Sequence, residues 1–139
     1  MSRNELPVLA VIAVGGGLGA LARFGLSTLW PPLPRHVPWA TLVTNVLGCL
    51  LIGVLMVLVT DVWAAHRLVR PFLGIGVLGG FTTFSTYAVE GHGLFADGAP
   101  VIALGYIAGS VVLGLAAVVI GVGATRVASG TVVSGRRRR

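Results

Sequence analysis

Lysine is missing altogether from the 139 residues, and acid is scarce: four Asp and Glu stand against ten basic residues, every one an arginine. Only 10% of the chain is charged, against about 25% in an average protein, which is too little polar surface for a water-soluble domain. The same shortages narrow the chemistry. The Gly79-Gly80 pair has no P-loop lysine behind it, and Ser85 stands in no G-x-S-x-G elbow, so no enzyme activity is expected. His36, His66 and His92 lie far apart without zinc-ligand spacing. Cys49 is the single cysteine, so no internal disulfide can form, and its place in an apolar run marks it as a small buried side chain.

What is present is long apolar runs. The chain is 55% hydrophobic with a mean hydropathy of +0.96, and four stretches reach the roughly 20 helical residues that cross a bilayer. They run from about Pro7 to Trp30, Ala40 to Thr60, Pro71 to Val89 and Val101 to Thr125. The expected fold is therefore an all-α membrane protein of four transmembrane helices. Residues 1–126 form its single membrane domain, and 127–139 form a polar, Arg-rich, disordered C-terminal tail. Ala20-Leu21-Ala22 resembles a signal-cleavage site, but Met1-Ser2-Arg3-Asn4-Glu5 is a poor positive leader and three more spans follow, so cleavage is not expected. Between spans one and two, Trp30 and Trp39 flank four prolines as an interfacial turn. Gly15 with Gly19, and Gly105 with Gly109, form small-xxx-small faces suited to close helix contact. Gly91 to Pro100 reads as a glycine-rich loop.

With four spans both termini share a side. That side carries Arg3, Arg67, Arg70, Arg126 and Arg136 to Arg139, whereas the other carries Arg35 alone. The positive-inside rule then predicts a multi-pass plasma-membrane protein with cytoplasmic termini. The terminal arginines fix topology and touch anionic lipid more simply than they bind nucleic acid.

The third span is interrupted at Gly79-Gly80-Phe81-Thr82-Thr83-Phe84-Ser85-Thr86-Tyr87. Paired glycines and four hydroxyls weaken a helix there, and loosened backbone survives at membrane depth only against protein or a water-filled path. The spans contain no Asp, and no Glu before Glu90 at the edge of the third. The polar inventory is made of donors instead: Arg23, the Asn45 amide, hydroxyls at Thr41, Ser85, Thr86, Tyr106 and Ser110, and the ring edges of Phe84 and Tyr87. Donors and positive ring edges suit an anion. Each has a plainer account. Asn45 can bond across a helix interface, although Thr41 one turn earlier makes a polar stripe with it. Arg23 can snorkel to the interface or attract anions at a vestibule mouth. Tyr106 and Ser110 can bond back to helix carbonyls. Glu90 reads as a wet helix-end residue.

Four blocks give these residues a family resemblance: Gly16-Gly17-Leu18-Gly19-Ala20-Leu21-Ala22-Arg23-Phe24, Thr41-Leu42-Val43-Thr44-Asn45-Val46-Leu47-Gly48, Gly79 to Glu90, and Tyr106-Ile107-Ala108-Gly109-Ser110. In this order they resemble the small fluoride channels of the Fluc (CrcB) family over nearly the whole chain except the Arg tail. The resemblance implies an antiparallel dimer of four-helix subunits, with the third helix broken and two fluoride pathways. It implies a structural sodium ion at the dimer centre, held by main-chain oxygens of Gly79 and Thr82. It implies fluoride-path roles for Asn45, Phe84, Tyr87, Thr41, Tyr106 and Ser110, with Arg23 and Glu90 nearby. Two positions depart from the family pattern. Tyr87 stands where Phe is frequent, its hydroxyl either adding a donor or narrowing the path, and Gly114 stands where some members carry a hydroxyl. The arginine bias favours a related, oppositely oriented partner subunit over a homodimer. The expected function is fluoride export through a passive channel. The alternatives are a small-multidrug-type exporter, which would need a membrane-embedded carboxylate, and a non-conducting assembly subunit.

Overall fold

Prolines open three of the four spans. Pro7, Pro71 and Pro100 each stand in a first helical turn, where a missing N–H costs nothing. The computed structural model describes residues 5–63 and 67–130; His66, Arg3 and tail residues 131–139 lie outside them. Helix α1 is Leu6–Leu29, α2 is Trp39–Val57, α3 is the single turn Gly79–Phe81, α4 is Ser85–Ala96, and α5 is Pro100–Ala128. A π-helical turn, Leu58–Val62, prolongs α2, and a π-helical segment, Pro71–Leu78, leads into α3. Together they make four helical spans long and apolar enough to cross a membrane, the third (Pro71–Ala96) the least hydrophobic at a mean hydropathy of 1.4.

Glycine decides which spans touch. A Cβ on Gly53 would come within 2.5 Å of the Val118 carbonyl oxygen, and one on Gly121 would collide with that of Leu50, so α2 and α5 meet backbone to backbone. Gly15 and Gly19 do the same for α1 against the third span: a Cβ on Gly15 would stand 2.6 Å from the Phe72 carbonyl oxygen, and one on Gly19 would collide with that of Val77. That small-xxx-small face is used as its spacing predicts. The Gly105 and Gly109 pair is not used within the chain, since nothing lies within 4 Å of a Cβ at either.

The loop expected over Gly91 to Pro100 is mostly helix. Helix α4 continues to Ala96 because Gly91 lets α5 approach, its absent Cβ lying 3.1 Å from the Ile107 side chain, and because Leu94 is buried against α2 and α5 residues. Glu90 is therefore an interior residue of α4, six positions before its end, which is about 9 Å along a helix. The opposite ends of the spans are tied at the surface. Arg126 lies 3.6 Å from Asp61, joining α5 to the end of the second span. At the other side Arg35, at φ 59°, donates from Nε to the Asp97 carbonyl at 2.8 Å.

Candidate functional site

The third span breaks between α3 and α4, where Thr82 takes an extended conformation. Two hydrogen bonds show why the break is stable. In an unbroken helix the Thr83 N–H would close on the Gly79 carbonyl; here it donates to Asn45 Oδ1 at 2.8 Å. The Thr86 N–H, which would close on the Thr82 carbonyl, donates instead to the Thr83 hydroxyl at 3.1 Å. The carbonyls of Gly79 and Thr82 thus both lose their helical donors. Hard carbonyl oxygens of this kind suit a small cation, so the two residues named for sodium fit that group by their chemistry. No cluster of three His, Cys, Asp or Glu able to hold a metal occurs among the described residues.

Asn45 is the partner that makes the break possible. Its Nδ2 donates to the Thr83 carbonyl at 2.8 Å while Oδ1 accepts from the Thr83 N–H. One side-chain amide replaces a lost helical turn, and this pairing fixes which end of the amide is oxygen. Arg23 comes to the same place from α1: its Nε donates to the Gly80 carbonyl at 3.2 Å. A guanidinium at the carbonyl end of a helix segment is favourable. Arg23 therefore serves the break itself rather than projecting to the interface or standing free at a mouth.

Three rings follow, with Tyr87 paired to both of the others. Phe84 and Tyr87 have centroids 5.7 Å apart, Tyr87 and Tyr106 5.5 Å, with planes tilted by 49° and 51°. Such tilts turn ring edges, with their partly positive hydrogens, toward neighbouring groups. The Tyr87 hydroxyl donates to the Ile107 carbonyl at 3.0 Å, so it is committed to α5. Beyond the rings lies Glu90. Its Oε1 accepts from the Thr41 hydroxyl at 2.9 Å and its Oε2 from the Tyr106 hydroxyl at 2.8 Å. Both donors are buried, and one carboxyl group joins α2, α4 and α5. Helix-end placement concealed this role in the sequence; the i, i+4 spacing of Thr41 with Asn45 and Tyr106 with Ser110 was the available signal.

Two cavities flank the cluster. The first, about 410 Å³, is lined by Asn45, Cys49, Thr83, Phe84, Tyr87 and Ser110 among others. Ser110 Oγ is sealed from solvent and has no hydrogen-bond partner. The second, about 260 Å³, is lined by Glu90 together with Arg35, His36 and Asp97. The structure thus brings Asn45, Phe84, Tyr87 and Ser110 together, sets Thr41, Tyr106 and Glu90 beside them, and places Arg23, Gly79 and Thr82 at the break.

The family described as "CrcB-like protein, Camphor Resistance (CrcB)" matches residues 10–122. The chain is 61% identical over 123 residues to a Nocardia farcinica protein named fluoride-specific ion channel FluC 2, covering 88% of each chain. It is 52% identical over 124 residues to a Streptomyces coelicolor protein named fluoride-specific ion channel FluC 1, covering 89% of this chain and 80% of that one. A Thermobifida fusca protein named fluoride-specific ion channel FluC 2 is 51% identical over 119 residues, covering 86% and 88%.

Proposed function

The chain belongs to the CrcB family, and from that premise we infer that it is a fluoride channel that lowers cytoplasmic fluoride by letting the anion leave through the membrane. The observation that carries this reading is the 61% identity, over 88% of both chains, with a relative named as fluoride-specific. It is an ion channel and not an enzyme.

Fluoride is small and strongly hydrated, so a selective path must replace its water with close donors while staying narrow. The first cavity offers the Asn45 Nδ2 proton not used on Thr83 and the edges of Phe84 and Tyr87, with the unpartnered Ser110 hydroxyl sealed behind its wall. Farther along, Thr41 and Tyr106 hold their hydroxyls at Glu90, and an anion at that level takes donors from the carboxyl group. The second cavity, with Arg35 and His36 at its wall, would be the mouth on the side away from the termini. Hydrogen fluoride enters neutral and dissociates inside, and the negative-inside potential expels the anion. Because the Tyr87 hydroxyl is bonded to Ile107, Tyr87→Phe is expected to conduct within about threefold of the parent, the scale of one neutral hydrogen bond. A tenfold change would place that hydroxyl on the path.

An exporter driven by protons needs a carboxyl group inside the membrane. Glu90 stands deeper than its sequence position suggests, but it is engaged by two hydroxyls, and the relatives favour the channel.

Association follows from exposure. Phe84, beside the break, is 80% exposed in the single chain, and a polar break facing lipid would leave backbone groups unsatisfied. The assembly we propose is an antiparallel dimer in which the Gly79 and Thr82 carbonyls hold a structural sodium ion, whose charge would satisfy oxygens freed by the break. The strong arginine bias toward the terminal side favours a related, oppositely oriented partner over self-pairing. Expressed alone in a bacterium lacking its own fluoride exporters, the chain should restore little growth in fluoride, and co-expression with such a partner should restore it. Full rescue by the chain alone, with both orientations present, contradicts the pairing.

A further inference from the structure

The second cavity, about 260 Å³, has more acid than base at its wall, an awkward balance for the mouth of an anion path. Glu90 and Asp97 both line it, and its one fixed cation is Arg35, the lone arginine on that side of the membrane. His36 lines it too, but its Nδ1 donates to the Pro34 carbonyl at 2.8 Å, so the neutral ring has only a lone pair left to offer. Arg35 is held there against its own backbone preference. At φ 59° it is the one non-glycine residue with a positive φ among the described residues, in a conformation where a β-carbon crowds the next carbonyl and glycine would be at ease. A chain with 21 glycines sets an arginine here all the same. The side chain is fastened as well. Its Nε donates at 2.8 Å to the carbonyl of Asp97, the residue that caps the end of α4, where a cation also meets the negative end of the helix dipole.

We propose that Arg35 is the anion-capture residue of this mouth, a transient fluoride contact whose charge offsets Glu90 and Asp97. This rests on the fluoride-channel reading and assigns a residue and a task to one end of the path. Two carboxylates facing an approaching anion would repel it, and a cleft with low-dielectric walls strengthens such a field. One guanidinium in the same cleft supplies the opposing charge. Arg35 is exposed, so an anion reaches it from water. The bond at Nε takes one of five N–H donors and leaves the two terminal nitrogens, which carry the other four. The turn at Arg35 and the Asp97 carbonyl together fix a long side chain that would otherwise keep its rotamer freedom in water. A residue that only capped α4 would need a donor and not a charge, so charge and salt separate the two roles.

The test follows efflux at low fluoride from liposomes carrying the conducting assembly. Potassium gluconate is present on both sides at about 0.01 M and then at about 1 M, over which the screening length falls from about 30 Å to about 3 Å. Arg35→Gln keeps an N–H for the Asp97 carbonyl and removes the charge. It should conduct about three- to tenfold more slowly than the parent in low salt and within about twofold of it in high salt. Arg35→Lys, which keeps the charge, should stay near the parent in both. Asp97→Asn leaves the backbone carbonyl in place and takes one negative charge from the mouth, so it should conduct about two- to fivefold faster than the parent in low salt alone. An Arg35→Gln deficit of equal size at both salt concentrations, with a lowered thermal midpoint in detergent, would reduce Arg35 to a structural cap and overturn the proposal. Arg35→Gln flux equal to the parent's in low salt overturns it too. So does Asp97→Asn flux that fails to rise there, a comparison that decides by itself if Arg35→Gln does not assemble. Absence of fluoride flux from the parent overturns the channel reading itself, and this proposal with it.

Discussion

Asn45→Asp should reduce fluoride efflux by at least about a hundredfold, because it strikes both jobs of one amide. Asn45 Oδ1 accepts from the Thr83 N–H, and an aspartate oxygen can still do so. The other end now donates to the Thr83 carbonyl at 2.8 Å, and in the variant two oxygens would face each other there. A buried acceptor deprived of its donor costs about 1–3 kcal/mol. The new charge adds to this along an anion path: two like charges about 4 Å apart repel by about 4 kcal/mol at an effective dielectric constant of 20. Efflux of fluoride from liposomes, with elution of the purified variant checked for an intact assembly, measures the result. An intact variant that conducts normally would remove Asn45 from the path.

Gly19→Ala is expected to cost about 2 kcal/mol or more in stability and to lose most of the flux with it. The added methyl would collide with the Val77 carbonyl oxygen and stand 2.7 Å from the Phe81 nitrogen. Both contacts are backbone, so neither can turn aside as a flexible side chain would. The displacement falls on the segment whose Gly80 carbonyl accepts from Arg23 and whose end is the break. Gly17→Ala is the matched control. It lies two residues away on the same helix with nothing within 4 Å of its Cβ, and it should leave the thermal midpoint in detergent unchanged. Equal behaviour of the two variants would show that α1 does not pack on the third span through Gly19.

The four spans were legible because apolar length is a one-dimensional signal. The break was legible for a similar reason, since Gly79, Gly80 and the hydroxyl run weaken a helix locally. What the sequence withheld is held across distance in the chain. Asn45 grips a peptide 38 residues away, and Arg23 reaches a carbonyl 57 residues away; no spacing rule reports either. Glu90 was misplaced for a different reason. Glycines at 91, 93 and 98 signal a loop, yet burial of Leu94 and the approach of Ile107 to Gly91 keep the helix going, a case of tertiary packing overriding local preference. Tyr87 admitted two readings as a free hydroxyl; its bond to Ile107 supplies a third, in which the ring faces the path and the oxygen does not. The open face at Gly105 and Gly109 shows the limit from the other side, since spacing predicts that a close contact is possible but not which surface makes it.

The measurement that bears most directly on the whole account is ion efflux from liposomes carrying the purified assembly, followed with a fluoride-selective electrode and, in parallel, a chloride-selective one. Fluoride should leave rapidly down its gradient once a potassium ionophore relieves the charge imbalance, while chloride is retained. Equal release of the two anions, or retention of fluoride by an intact assembly, would contradict the assignment of this donor-lined path to fluoride.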